Sequence, residues 1–146
     1  IKLLFVNKDM NEIKMRMILN FGHTFAHAIE VKNNYSKNIT HGEAVLIGMM
    51  IATKLSYLKK ICSLKTVEEL TKIYDQNKLN YKLGKFFKKK DFSEMIDFMS
   101  QDKKNDDNKV NLILLKKIGL TTIPGHFRMS TSEIKKINEK LSNIDF

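Results

Sequence analysis

The sequence predicts a mainly α-helical domain of several helices, with room for one small β-hairpin. Three observations carry this. Breakers are scarce: 146 residues include one proline, Pro124, and six glycines, which favours long uninterrupted elements. Apolar residues recur at helical spacing along most of the chain. Runs of β-like character are confined to the stretch 109–123.

The elements follow in order. Residues 1–7 read as the close of a helix begun upstream. Residues 12–32 read as one long amphipathic helix and residues 41–61 as a second, more buried one. Residues 66–77 form a third, with Thr66 and Glu69 at capping-box spacing. Residues 91–101 form a fourth. Residues 109–115 and 120–123 are the β-like runs, and residues 132–141 close the chain as a last helix. There is no internal repeat, and the length suits one domain with a modest core.

Composition removes several function classes. The longest nearly unbroken apolar stretch, 44–52, falls short of the roughly 20 residues a membrane span needs. No signal peptide opens the chain. Residue 1 is Ile, which suggests a fragment or a processed chain. The single cysteine, Cys62, excludes an intrachain disulfide and suits a reducing cytoplasmic compartment; it reads as a small buried residue. The net charge of +10 comes from 26 basic and 16 acidic residues. Lysines are scattered and only Arg16 and Arg128 are arginines, whereas nucleic-acid readers need guanidinium forks. A solvated lysine-rich surface is the favoured reading. The densest basic run, 85–90, reads as a loop or amphipathic turn.

One polar stripe is chemically selective. On a continuous helix of about 3.6 residues per turn, Arg16, Asn20, His23 and His27 fall within roughly 60° of one another. Glu12 and Glu30 flank them. The opposite face carries Met17, Ile18, Phe21, Phe25, Ala28 and Ile29. A plain solvent face is the bland alternative, but exposed positions in this chain are mostly Lys, Asn and Glu. This stripe instead holds one of two arginines and two of four histidines. Histidines at i and i+4 suit a metal or a phosphate. A third, His41, stands where the second helix starts, so His23, His27 and His41 could meet in one cavity. The pair lacks the central glutamate of H-E-x-x-H, which disfavours peptide hydrolysis.

These residues resemble a known family. The run Leu19-Asn20-Phe21-Gly22-His23-Thr24-Phe25-Ala26-His27-Ala28-Ile29-Glu30 is similar to the L-N-F-G-H-T-F-G-H-A-I-E signature of 3-dehydroquinate synthase. His41-Gly42-Glu43-Ala44-Val45 resembles its H-G-E-A-V continuation. Asp9, Glu12 and Arg16 match its lead-in, and Asp102-Lys103-Lys104 with Ile118-Gly119 its late segment. Ala26 departs from the family's usual glycine, which implies tighter packing rather than lost chemistry.

The resemblance implies that residues 1–146 form the C-terminal helical zinc- and substrate-binding domain, with the NAD-binding domain and the third zinc ligand, a glutamate, upstream. It gives His23 and His41 as metal ligands for Zn2+ or another divalent ion such as Co2+. His27, Arg16, Asn20 and Lys2 match active-site positions, and one of Lys103 and Lys104 is expected to reach the substrate. Glu43 is a candidate to orient a metal ligand, with compensation of the helix N-terminus as its plainer role. His126 matches nothing functional and reads as a surface loop residue.

The implied reaction converts 3-deoxy-arabino-heptulosonate 7-phosphate, a phosphorylated sugar acid, to 3-dehydroquinate and phosphate on the shikimate route to aromatic amino acids. NAD takes a hydride and returns it. No G-x-G-x-x-G loop occurs in these residues, so the chain alone is expected to hold zinc weakly and to show no turnover. The implied setting is a cytoplasmic homodimer with no nucleic-acid or membrane partner. The alternatives are another sugar phosphate cyclase, a metal-dependent polyol dehydrogenase, and a non-catalytic basic helical binding module.

Overall fold

In a computed structural model the described residues are 16–34, 38–82, 84, 86, 89–100 and 109–142. A 3-10 turn, Arg16–Asn20, leads into α1 (His23–Lys32). It is followed by α2 (His41–Leu58), α3 (Leu64–Gln76) and α4 (Lys89–Ser100). Four short strands come next: β1 (Lys109–Asn111), β2 (Leu115–Lys117), β3 (Leu120–Thr121) and β4 (Arg128–Ser130). α5 (Thr131–Ser142) is the last element. The domain is mainly helical, as the scarcity of breakers predicts. Residues 1–7 and the active-site candidates Lys2, Lys103 and Lys104 lie outside the described residues.

The central helix is α2. Ile47, Ile51, Ala52 and Leu55 on α2 meet Phe25, Ala28 and Ile29 of α1, Phe92, Met95 and Ile96 of α4, and Ile134 of α5 in one buried core. The expected apolar face of the first helix is therefore the packed one. A smaller cluster of Met50, Leu70 and Tyr74 joins α2 to α3. Ser56, fully buried on α2, donates to the Ala52 carbonyl and accepts from the Leu115 backbone N–H at 2.9 Å, tying the strand region to the helix.

Several expected boundaries are corrected. The helix expected over 12–32 is not continuous. Gly22 adopts φ +84°, a left-handed conformation that interrupts the helical ladder, and the new helix begins with the Ala26 N–H on the Gly22 carbonyl. The second helix stops at Leu58 rather than 61. Lys60 takes φ +58°, while the N–H groups of Lys60 and Ile61 cap the Tyr57 and Ser56 carbonyls. This Schellman arrangement folds Ile61 back onto the core. α3 ends in the same way, with Lys78 at φ +52° and Leu79 bonded to Tyr74.

Thr66 does not cap the third helix. It is buried inside α3, two residues into the helix that Ser63 precedes. The capping boxes lie at Thr40–Glu43, which opens α2, and at Ser130–Glu133, which opens α5. The exposed Glu133 carboxyl is held below its usual range by the Ser130 backbone N–H and hydroxyl.

The expected small hairpin is present: β2 pairs antiparallel with β3 around Gly119 at φ +83°, while β1, the other part of the run 109–115, pairs antiparallel with β4. Cys62 is half-buried beyond the end of α2. Burial pushes its thiol pKa up, which leaves it protonated and unreactive. No helix among the described residues is long and apolar enough to cross a membrane.

Candidate functional site

The site is built where the start of α1 meets the start of α2. Two glycines make this crossing possible. The Gly22 backbone carbonyl lies so near Gly48 of α2 that a Cβ there would sit 2.2 Å from it, and 3.0 Å from the Ala26 nitrogen. In return, a Cβ on Gly22 would meet the Met49 backbone nitrogen at 2.6 Å. Ala26, the residue at which the chain departs from the signature, is fully buried at this crossing. Its methyl is taken into the core, as expected.

His23 is the first residue of α1 and His27 lies one turn on, so both project from one side of the helix. Their ring centroids are 6.1 Å apart. His41, the first residue of α2, follows the N-cap Thr40. Its ring centroid is 5.6 Å from that of His23. The three expected histidines therefore converge. Two imidazoles bound at about 2.0–2.1 Å to one tetrahedral ion would place their centroids about 5 Å apart. The His23–His41 spacing is compatible with that geometry.

The electrostatics suit the same use. Burial lowers the His23 pKa, with the Phe21 backbone opposing, His41 and His27 adding to the lowering, and Glu30 acting weakly the other way. At neutral pH the ring is uncharged, the form in which histidine ligates. Its Nδ1 is buried and meets no hydrogen-bond partner among the described residues. A buried nitrogen left so costs about 1–3 kcal/mol. His41 is tied instead: its Nδ1 lies 2.8 Å from Glu30 Oε1. Among the described residues no group of three or more His, Cys, Asp or Glu side chains is disposed to hold a metal ion.

Other candidates fall as follows. Asn20 is exposed at the end of the 3-10 turn that Arg16 opens. Because the helix breaks at Gly22, the single stripe expected of Arg16, Asn20, His23 and His27 does not exist; only the two histidines keep their helical relation. Glu43 accepts from the Thr40 backbone N–H at 2.9 Å and from Asn80 Nδ2 at 2.8 Å, which gives it the plainer helix-capping role. His126 lies in an exposed turn ahead of β4, as expected. Sequence reasoning missed Glu30 as the partner of His41. Its signal was faint: a carboxylate seven residues after His23, at the edge of the polar face.

The family described as 3-dehydroquinate synthase C-terminal matches residues 1–105. The chain belongs to that family. Proteins named 3-dehydroquinate synthase are its relatives: one from Pelagibacter ubique is 44% identical over 119 residues, 82% of this chain and 32% of the relative. One from Endomicrobium trichonymphae is 42% identical over 115 residues, 78% of this chain and 30% of the relative. The chain thus spans about a third of the length of the 3-dehydroquinate synthases it matches. Among solved structures, a 2-deoxy-scyllo-inosose synthase complexed with carbaglucose-6-phosphate, NAD+ and Co2+ superposes with a TM-score of 0.74 at 22% identity. The match covers 95% of this chain and 39% of that one. At that identity the likeness establishes the fold alone, shared with that 2-deoxy-scyllo-inosose synthase.

Proposed function

We propose that this chain forms the metal- and substrate-binding part of a 3-dehydroquinate synthase, a phosphate-eliminating lyase of the shikimate route. The substrate is 3-deoxy-arabino-heptulosonate 7-phosphate and the products are 3-dehydroquinate and phosphate. The observation that carries the reading is the approach of His23 and His41, from two helices, at a spacing compatible with one shared divalent ion. The family match and the names of the relatives support the choice of reaction.

In this reading His23 and His41 hold the metal, Zn2+ or a similar ion such as Co2+, and the third ligand comes from outside these residues. When bound, the metal polarises a substrate hydroxyl and NAD accepts and returns a hydride. The remaining work belongs to side chains. His27, exposed beside His23, is placed to hold the substrate's phosphate and to carry a proton at an imidazole nitrogen. Arg16 supplies a guanidinium fork for carboxylate or phosphate, and Asn20 a neutral amide for a hydroxyl. Lys2 and one of Lys103 and Lys104 complete the cationic surroundings. Phe21, just ahead of α1, and Phe25 and Ala26 on it are buried in the core.

The test uses the full-length protein and measures bound divalent metal together with 3-dehydroquinate formation. His23→Ala and His41→Ala are each expected to bring metal content to background and to abolish turnover. Retention of stoichiometric metal by both variants would sink the assignment. Turnover of a phosphorylated hexose, with none of the sugar acid, would transfer it to a sister sugar phosphate cyclase.

A further inference from the structure

We propose that Glu30 is a positioning residue, which holds His41 in the rotamer and tautomer that present its Nε2 as a metal ligand. The proposal rests on the metal reading above and assigns a role to a residue that reading does not use.

Glu30 lies seven residues after His23 and three after His27, on the same side of α1. The chain returns after α1 so that His41 begins α2 beside it. His41 is the more exposed partner, with 59% of its side chain accessible against 16% for Glu30. An imidazole that open at the first residue of a helix has several rotamers within reach, and fixing one costs entropy. The 2.8 Å contact from Nδ1 to Glu30 Oε1 selects one.

The contact also selects a tautomer. An ionised carboxylate only accepts, so the hydrogen must sit on Nδ1, and Nε2 is left with its lone pair. The partnered carboxylate makes that lone pair a stronger donor. Glu43, two residues from His41, is engaged with Thr40 and Asn80.

The test compares wild-type full-length protein with Glu30→Gln, Glu30→Ala, His23→Ala and His41→Ala. Two quantities are read: the His41 tautomer in the metal-free protein, from long-range 15N–1H spectra, and Co2+ affinity, from chelator competition. Wild type should show the Nδ1–H tautomer. Glu30→Ala should lose that tautomer preference and bind Co2+ about 10–100-fold more weakly. Glu30→Gln keeps an acceptor without the charge, so the tautomer should persist while affinity falls several-fold. A purely structural clip between α1 and α2 would change melting temperature but not the tautomer. If His41→Ala abolishes Co2+ binding while both Glu30 variants bind as wild type does, the role assigned to Glu30 is wrong. If neither histidine variant changes Co2+ affinity, the metal reading itself has failed, and the role falls with it. Should Glu30→Ala not fold, Glu30→Gln decides: wild-type affinity in that variant overturns the proposal.

Discussion

Gly48 and Gly22 touch backbone to backbone: a Cβ on Gly48 would lie 2.2 Å from the Gly22 carbonyl oxygen. That oxygen accepts the Ala26 N–H at 3.0 Å, the bond with which α1 begins. The contact therefore sets both where the first helix starts and how far its histidines stand from His41.

Gly48→Ala should be severe. The clash is with backbone rather than a flexible side-chain tip, so α1 and α2 must move apart. Overpacking of this kind costs about 3 kcal/mol. Thermal unfolding of the variant should show a large fall in melting temperature, and metal affinity should fall with it because His23 and His41 separate. A variant with unchanged melting temperature and metal binding would show that the crossing does not position the site.

Thr40→Ala should act on the site from its other side. The Thr40 hydroxyl accepts the Glu43 N–H at 3.2 Å, and the Glu43 carboxylate returns to the Thr40 N–H. Losing such a cap costs about 1 kcal/mol. The first turn of α2, which carries His41, should fray first. Amide exchange at residues 42–44 should therefore accelerate more than at the centre of α2; uniform exchange along the helix would contradict this.

Tyr74 gives the stability an alkaline edge. Burial pushes its phenol pKa up to about 12 from 10.0, and its hydroxyl faces the Met49 sulfur, 3.7 Å away. Below pH 10 both folded and unfolded forms keep the proton. Between pH 10 and 12 the unfolded chain releases it while the folded chain retains it, so stability must fall as pH rises. The loss is on the order of 2 kcal/mol. Tyr74→Phe should remove this component and cost little at neutral pH, since a thioether is a weak acceptor. Denaturant unfolding of both proteins from pH 8 to 12 measures the difference; parallel curves would rule the phenol out.

The 146 residues by themselves should give no turnover. They bring two histidines together and contain no G-x-G-x-x-G loop. Purified as such, the chain is expected to bind Zn2+ weakly and to release no phosphate from 3-deoxy-arabino-heptulosonate 7-phosphate, even with NAD and metal added. Measurable 3-dehydroquinate would count against the division of labour proposed here.

Helix content was legible because its causes are local. Breaker scarcity and apolar spacing act within a few residues, so the helical stretches read correctly, with errors mainly at their ends. The misplaced cap shows the limit. Thr66 and Glu69 have the right spacing, but Thr66 is drawn into the core and Ser63 precedes the helix instead. Spacing finds candidates for a cap; burial chooses among them. The β-like runs were found for the same local reason, yet β1 pairs with β4, some twenty residues away and not read as a strand.

By itself the sequence determined which chemistry was available: three histidines, one of two arginines and a carboxylate gathered into one short stretch and the next helix start, in an order that resembles one family. What it could not determine was their arrangement in space. A continuous helix was the natural inference from periodicity, and it placed Arg16 and Asn20 in line with His23. The tertiary structure decided otherwise, because α2 presses Gly48 and Met49 against Gly22 and only a left-handed backbone there fits. The same packing brought Glu30 to His41. Contacts between helices depend on crossing geometry, and crossing geometry is set by close packing across the whole core, not by any one segment's pattern.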